Sequence, residues 1–457
     1  MRNKAVLVTA CFFISAVSPV YAQSSFKNPV DSSTPQHIWL MPQLSDKDRQ
    51  YLTGDWGGWR SRLAERGMTM KSTLVSDILS NPVGGKRKNR ARYNQSLGLD
   101  LNFDLEKMSS LKGLQFHLSG VYRQGRNLSK DIGNQFTVSS IYGSQQIRLY
   151  GLYFDQSFVN GKFDFRIGRL AAGDDFASSS LYWYYVNNAI DGNPVSLPLN
   201  FPFSAYPTAV WGMRAKMKPM DRWQLMTGIY SGDGSVGRNE AHGMDFSLRL
   251  DRGILFLQEF RYLRNQQEGD AGLPGNYKLG LYYHTGKFDD LYKDANGNSY
   301  IVSGLPQNQA HGNYGLYIHL DQLVYREDTL EGAEIQGLLP FLVVTLAPDY
   351  NSKFPIFVDG GLLYRGLVPG RDEDVSMFGF AYGKWSNALE SSQRDDRDTN
   401  SSGLDPQEYE AMFELSYKMQ LRPWFFVQPD IQWIVNPGGR GDTEDALVTG
   451  TRIGFVF

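Results

Sequence analysis

The last eleven residues of the chain, from Leu447 to Phe457, read LVTGTRIGFVF. Successive side chains of a β-strand point to opposite faces, so the odd-numbered residues of this segment share one face. That face is largely apolar and ends in two aromatic rings, whereas the other face holds small residues and one charge, Arg452. A strand of this length and pattern predicts one face in lipid and the other in a polar interior.

The first residues of the chain predict export. Arg2 and Lys4 precede an apolar stretch, and a run with small residues follows and ends at Ala22. This pattern predicts a secretory signal over residues 1–22 that is removed after Ala22. Its removal would also remove Cys11, the only cysteine, so the exported chain would have no disulfide and no thiol ligand. A lipoprotein cut before Cys11 is the alternative, and the short apolar stretch before that residue disfavours it.

The composition excludes membrane helices but is compatible with a membrane barrel. The mean hydropathy is −0.39, and the longest apolar run, residues 338–347, is about half of the roughly 20 residues that a membrane helix needs. Only alternate residues of a barrel face lipid, and the 26 Tyr and 27 Phe suit its interfacial girdles. A net charge of −2 argues against a nucleic-acid partner.

Internal segments repeat the alternation of the last strand. Leu97–Leu105, Leu114–Arg123, Met244–Asp251 and Tyr409–Met419 each place mostly apolar residues on one face and mostly polar or charged residues on the other. Segments of about ten residues match the length of a tilted membrane strand. A soluble sandwich would show the same alternation, with its apolar faces packed together. Segment length and the two chain ends favour an all-β, transmembrane antiparallel β-barrel.

The predicted organisation has two parts after the signal. Residues 23–67 form an irregular segment with one short helix near residues 59–67, and residues 68–457 form the barrel. Seventeen strand candidates can be placed, but bacterial single-chain barrels have an even number of strands. We therefore predict sixteen strands and expect the superfluous candidate between residues 250 and 312. The candidates begin near residues 69, 93, 113, 145, 161, 208, 221, 242, 253, 276, 312, 337, 354, 373, 407, 423 and 446.

The connections between the candidates include short turns and long loops. The short ones, Phe158–Gly161, Lys218–Arg222 and Gln420–Pro423, are predicted to be periplasmic turns. The long ones are predicted to be external loops, and the longest is expected to fold inward and narrow the channel. The predicted long loops are residues 124–145, 170–207, 286–312 and 386–406.

Two motifs resemble those of the carbohydrate-selective porin family OprB. The stretch from Gly54 to Arg60, GDWGGWR, is followed by LAERG at Leu63 to Gly67 and resembles the amino-terminal motif of that family. The stretch from Pro423 to Gly439, PWFFVQPDIQWIVNPGG, resembles its carboxyl-terminal motif. The resemblance covers the chain from about residue 50 onward. It implies a sixteen-stranded channel in the bacterial outer membrane for passive diffusion of sugars, often glucose, with some ion passage.

Sugar passage needs hydrogen-bond partners for hydroxyl groups and flat apolar faces for pyranose rings. Strand parity predicts one set of charges that face the interior, and the longest loop adds carboxylates and aromatic rings. The alternative is that the arginines hold ion pairs of the inner wall and that the aromatic residues pack the loop. The predicted pore-lining residues are Arg123, Arg148, Arg166, Asp174, Asp175, Trp183, Tyr184, Arg214, Glu259 and Arg261.

The run from Lys86 to Arg92 holds five basic residues and is predicted to be a solvated external loop, with contact to lipopolysaccharide phosphates as the alternative. The sequence contains no His-Glu-x-x-His, Gly-x-Ser-x-Gly, P-loop or dinucleotide fingerprint. No catalytic residue, metal site or cofactor is therefore predicted. The alternatives to a sugar porin are a barrel hydrolase and a soluble exported sugar-binding β-protein. Outer-membrane lipid and a homo-oligomer are the other expected partners.

Overall fold

A computed structural model describes residues 50–143, 146–159, 161–267, 269–327 and 336–457. The predicted signal and the stretch from residue 23 to residue 49 lie outside the described residues. Among the residues that are described, no helix is both long and apolar enough to cross a membrane.

The described residues form sixteen antiparallel strands in one closed barrel, which confirms the predicted architecture and strand count. Each strand pairs with its neighbours along the chain, and β1 closes the ring by pairing with β16, where Asp77 lies opposite Arg452. The short segment Tyr325–Arg326 extends the pairing of β10 with β11. The strands are β1 (Met68–Val83), β2 (Arg90–Asp104), β3 (Leu114–Gly125), β4 (Gln146–Phe158), β5 (Phe163–Leu170), β6 (Val210–Met220), β7 (Trp223–Ser231), β8 (Ile254–Arg264), β9 (Gly275–Asp294), β10 (Gln307–Gln322), β11 (Gly337–Leu346), β12 (Ile356–Arg365), β13 (Val375–Lys384), β14 (Tyr409–Arg422), β15 (Phe425–Val435) and β16 (Ala446–Val456).

The helices are short and lie between the strands, apart from the one that precedes β1. The α-helices are α1 (Trp59–Glu65), α2 (Leu105–Ser109), α3 (Ser129–Ile132), α4 (Ala172–Asp175), α5 (Ser196–Asn200), α6 (Tyr300–Ser303) and α7 (Asn387–Asn400). The 3₁₀ turns are Trp56–Gly58, Tyr182–Tyr184, Gly234–Gly237, Asn239–Ala241, Leu250–Arg252 and Pro437–Gly439.

The segment before β1 is held against the barrel. The Arg60 guanidinium lies between the rings of Tyr51 and Trp56, at 3.8 and 4.2 Å from their centres, and it donates to the Met70 carbonyl at 3.0 Å. The Leu52 amide donates to the Val456 carbonyl at 2.8 Å. The first motif of the sequence therefore fastens the amino-terminal segment across the seam between β1 and β16.

The two faces of the strands differ as the alternation predicts. Leu99 and Phe413 lie on the outer face and are 42% and 41% exposed. Inward-facing charged residues such as Glu414 and Arg452 are buried. A sandwich would bury the apolar face instead, so the closed barrel excludes the soluble alternative.

The predicted strand near residue 242 is wrong, and the superfluous candidate therefore lies just before the expected interval of 250–312. Residues 242 and 243 form a turn, and residues 244–249 belong to no strand. The segment lies beside β5, which is only eight residues long. Isolated hydrogen bonds hold it, from the Leu149 amide to the His242 carbonyl at 2.9 Å and from Trp211 Nε1 to the Phe246 carbonyl at 2.8 Å. Its apolar residues are exposed on the outer face. Alternation therefore predicts the environment of the side chains, but it does not predict hydrogen-bonded pairing with a neighbouring strand.

The connections divide between two ends of the barrel. The predicted short turns lie at the end where β1 begins and β16 ends, which we call the short-turn end, and the predicted long loops lie at the opposite, long-loop end. The predicted loop 286–312 is wrong in extent, because β9 and β10 continue beyond the membrane-crossing length and leave only residues 295–306. In outer-membrane barrels the short turns face the periplasm.

The longest connection, residues 171–209 between β5 and β6, folds into the barrel, and we call it the inner loop. Its apolar residues form two buried clusters with the inner wall. Tyr185 and Ile190 contribute to one cluster, and Phe176 and Phe201 contribute to the other. The core of this protein is therefore the contact between the inner loop and the wall, inside the barrel.

Candidate functional site

The inner loop crosses the barrel interior and binds strands far from its own ends. Tyr182 Oη lies 2.7 Å from His319 Nδ1 on β10. The backbone amides of Val186 and Asn187 donate to the two carboxylate oxygens of Glu414 on β14, at 2.8 and 2.9 Å. Backbone N–H groups in a low-dielectric interior need acceptors, and a carboxylate is a strong one. These contacts hold the loop across the channel.

A buried charge network fastens the middle of the inner loop to the seam of the barrel. Arg452 on β16 binds Asp77 on β1 at 2.8 Å and the loop carboxylate of Asp191 at 2.9 Å. Its guanidinium also donates to the Tyr185 carbonyl and to Ser140 Oγ, both at 2.8 Å. Buried charges are tolerated only when they are paired and hydrogen-bonded. Removal of Arg452 would leave two buried carboxylates without their cation.

Three of the predicted pore-lining residues meet at the start of the inner loop. The Asp175 carboxylate lies between Arg166 and Arg214, at 3.3 and 3.2 Å. Arg166 also binds Asp155 at 2.6 Å, and Arg214 binds Asp164. All five side chains are buried. This group is an ion-pair network that attaches the loop to β4, β5 and β6.

Glu259 and Arg261 form a second buried pair on β8, at 2.9 Å. Tyr317 on β10 donates from its hydroxyl to Glu259 at 2.6 Å. The Ala177 amide of the inner loop donates to Tyr317 Oη at 3.0 Å. Glu259 and Arg261 are therefore linked to the inner loop through the hydroxyl group of Tyr317.

Arg123 and Arg148 contact the end of the inner loop without a carboxylate. Arg123 donates to the Tyr142 carbonyl at 3.2 Å, and its guanidinium lies 4.7 Å from the ring centre of Tyr206. Arg148 donates to Thr208 Oγ1 at 2.9 Å and to the carbonyls of Gly237 and Arg238 in the loop between β7 and β8. Strand parity placed both residues correctly on the inner face.

Asp174, Trp183 and Tyr184 are the predicted residues that keep accessible surface. Asp174 is exposed and accepts a hydrogen bond from the Tyr150 hydroxyl. Trp183 is 55% exposed although its neighbours are anchored to the inner wall. Tyr184 is half-buried, with the Lys418 amine 4.9 Å from its ring centre. One carboxylate and two aromatic rings of the inner loop thus keep accessible surface.

The charge of Asp174 is sensitive to pH near neutrality. Partial desolvation of its carboxyl group by the wall and loop atoms around it raises the pKa to about 7. The neighbouring carboxylates of Asp175 and Asp100 add to the rise in pKa, and the hydrogen bond from Tyr150 opposes it.

Residues 88–457 match the model of a family described as carbohydrate-selective porin, OprB family. The match spans most of the chain. The chain belongs to the OprB family. This membership and the closed barrel place it in the bacterial outer membrane as a porin.

Individual relatives agree with this assignment. Porin B of Pseudomonas aeruginosa is 28% identical over 425 residues, which cover 89% of this chain and 91% of that protein. The putative porin QuiX of Acinetobacter baylyi is 25% identical over 440 residues, covering 90% and 94%. The solved high-pH structure of Pseudomonas putida OprB is 27% identical, covers 91% of this chain and 100% of its own, and superposes with a TM-score of 0.84.

Residue-level reasoning missed the side chains that hold the loops of this OprB family member. Glu414 and Arg452 bind the inner loop, and Glu410 accepts from the amides of Gln135 and Phe136 in the loop 126–145. The sequence signal for these three residues was their position on the polar face of segments whose alternation predicts a strand. Among the described residues, no group of His, Cys, Asp and Glu side chains is arranged to hold a metal ion.

Proposed function

We propose that the channel conducts glucose-type sugars and some ions by passive diffusion, through a water-filled barrel that the inner loop narrows. The observation that supports this proposal most strongly is the path of the inner loop, which binds β10, β14 and β16 and leaves Asp174 and Trp183 exposed inside the barrel. A passive channel needs no cofactor and no energy source.

The exposed residues supply the two contacts that a pyranose needs. The Asp174 carboxylate accepts hydrogen bonds from adjacent hydroxyl groups, and the Trp183 and Tyr184 rings offer flat faces to the C–H surface of the sugar. These contacts replace part of the hydration that the sugar loses in a narrow passage. The buried ion pairs among the remaining predicted residues act through the loop, because their side chains lie in its attachments; these residues are Arg166, Asp175, Arg214, Glu259 and Arg261.

Liposome swelling tests the proposal. Proteoliposomes with the full-length exported protein should swell in glucose faster than in a disaccharide, and protein-free liposomes should not swell. Permeation that follows solute size alone, with no advantage for hexoses in a planar-bilayer panel, would leave a channel without sugar selectivity. No swelling in any sugar would contradict the proposal.

Membership of a porin family indicates a channel and not an enzyme. We propose the finer statement that the protein hydrolyses neither lipid nor glycan. Incubation of the purified protein with phospholipid and oligosaccharide substrates tests it, and protein-dependent product would contradict it.

We propose that the basic run at the long-loop end contacts lipopolysaccharide phosphates. Lys86, Lys88 and Arg90 are exposed, whereas Arg87 and Arg92 both bind Asp131, at 2.7 and 2.6 Å. Replacement of the three exposed residues by glutamine should weaken co-purification of lipopolysaccharide, and unchanged binding would contradict the contact.

We also propose that cleavage after Ala22 leaves Gln23 as the mature amino terminus, and that the barrel forms a homo-oligomer in the membrane. Intact mass of the outer-membrane protein tests the first statement. Cross-linking in whole membranes tests the second, and a ladder that stops at the monomer would contradict it.

A further inference from the structure

A separate cavity of about 650 Å³ lies at the long-loop end, above the inner loop. It is lined by residues of the segment 137–142, of the second half of the inner loop and of the loop between β7 and β8. Small-molecule sites have volumes of roughly 300–1,000 Å³, so this cavity is large enough for one sugar-sized ligand. Neither Asp174 nor Trp183 lines it.

The cavity has a positive charge that no carboxylate neutralises directly. Arg123 lines it and is 5% exposed. It donates to a backbone carbonyl and interacts with the ring and the hydroxyl group of Tyr206, and its Nε has no hydrogen-bond partner among the described residues. An arginine that is held by neutral groups retains its attraction for an anion.

The carboxylates near Arg123 are occupied elsewhere. Asp233 lines the cavity, and it binds Arg249 at 2.9 Å and the Ser235 amide at 2.9 Å. Asp191 is engaged by Arg452 at 2.9 Å and by Ser140. The charge that remains for a ligand in this cavity is therefore that of Arg123.

The rest of the lining suits a polyhydroxylated molecule. Tyr206 presents its ring to the cavity, and its hydroxyl lies 3.2 Å from Ser96 Oγ. Thr137, Asn188 and Thr208 add hydroxyl and amide groups, and Phe288 adds an apolar surface. Such mixed lining of hydrogen-bonding groups and rings complements hydroxyl groups and C–H faces together.

We propose that this cavity is a docking site for a sugar acid, a polyhydroxylated molecule with one carboxylate, which pairs with Arg123 before the molecule enters the narrowed part of the channel. The inference rests on the proposed sugar passage and extends its substrates from neutral sugars to their carboxylate forms.

Ion-current block tests the site in planar bilayers that contain the full-length exported protein. The probes are D-gluconate and D-glucose, which are similar in size and hydroxyl content and differ in charge, added at the long-loop side in constant KCl. D-gluconate should reach half-block at a concentration about tenfold lower, which corresponds to about 1.4 kcal/mol and lies at the low end for a charge-assisted contact. Raising KCl from about 0.1 to 1 M should weaken block by D-gluconate and leave block by D-glucose nearly unchanged.

Three variants localise the effect. Arg123→Gln should raise the half-block concentration of D-gluconate about tenfold and that of D-glucose less than about threefold, since only the charged contact is lost. Arg123→Lys retains the charge and should lose less of the discrimination. Arg440→Gln removes the same charge at the same end of the barrel but outside this cavity, and it should leave the preference for D-gluconate intact.

Equal half-block concentrations of the two probes in the unmodified protein would overturn the inference, and so would an equal loss of preference in Arg123→Gln and Arg440→Gln. If Arg123→Gln does not fold, the unmodified protein alone tests the inference. The test is then the difference between the half-block concentrations of D-gluconate and D-glucose, and the dependence of that difference on KCl. Glucose passage without preference for D-gluconate rejects only this docking site. Absence of passage for both rejects the proposed function.

Discussion

The inner loop has anchored residues and exposed residues that are neighbours in sequence. Asp175 is buried between two arginines, whereas Asp174 beside it is exposed. Tyr182 is 1% exposed and bound to His319, whereas Trp183 beside it is 55% exposed. This contrast between neighbouring residues indicates that the inner loop has two roles. Its anchored residues hold the narrowing in place, and its exposed residues are available to the solute.

The largest effect is expected from loss of an anchor at the barrel seam. Arg452→Met leaves Asp77 and Asp191 without their cation and should destabilise the loop-bound state by about 3–5 kcal/mol. Conductance should rise because the inner loop leaves the wall, and guanidinium unfolding should shift to lower concentration.

Arg394→Met is the matched control for this anchor. Its partner Glu390 lies at 2.5 Å in the exposed helix α7, where an ion pair contributes about 0–1 kcal/mol. Equal behaviour of the two variants would show that the seam network does not hold the loop.

A smaller effect is expected at Glu414, which accepts two backbone amides of the inner loop. Glu414→Gln keeps one acceptor oxygen and loses the charge, so the loop attachment should weaken by about 1–3 kcal/mol. Amide hydrogen exchange at Val186 and Asn187 should accelerate. Glu408→Gln, an exposed position near the start of the same strand, should change neither exchange nor stability, and slow exchange in both variants would contradict the anchoring role.

At the exposed set, the expected change is in function and not in stability. Trp183→Ala removes a stacking surface worth about 0.5–1.5 kcal/mol, so sugar block of the ion current should weaken by roughly two- to tenfold. The unfolding midpoint should stay close to that of the unmodified protein. A block that is unaffected would remove Trp183 from the solute path, and a large loss of stability would assign it to the anchored set.

The smallest effect is a dependence on pH. The raised pKa of Asp174, about 7, means that its carboxylate is charged at pH 8 and mostly neutral at pH 6. Cation preference measured by reversal potentials should therefore fall as the pH falls between these values. Asp174→Asn should show the low preference at both pH values, and a variant that keeps the pH dependence would assign it to another group.

The fold was predictable from the chain because lipid imposes alternation on every strand. The strands follow from segment length and the number sixteen from the even count of bacterial barrels, the inward faces of Arg123 and Arg148 follow from parity, and the inward path of the longest loop was expected from its length. The segment at residues 242–249 was predicted wrongly as a strand because its exposed apolar residues alternate without a ladder. Alternation cannot distinguish a paired strand from an extended segment that lies on the wall.

The attachments of the loop were not predictable, because each joins residues that are far apart in the chain. Glu414 meets Val186 across 228 residues of the chain, and Arg452 meets Asp77 across 375. Strand parity predicts that a charged side chain faces inward, but it does not predict whether a loop residue neutralises that charge. The division of the candidates into anchors and exposed residues therefore depends on the three-dimensional structure.

Sugar block in a single-channel recording tests most directly whether the anchored inner loop creates the selective passage. Unmodified protein should show a current that glucose reduces in a concentration-dependent way, and Arg452→Met should show a larger current that glucose no longer reduces. An unmodified channel that ignores glucose, or an Arg452→Met channel blocked as strongly as the unmodified one, would contradict that claim.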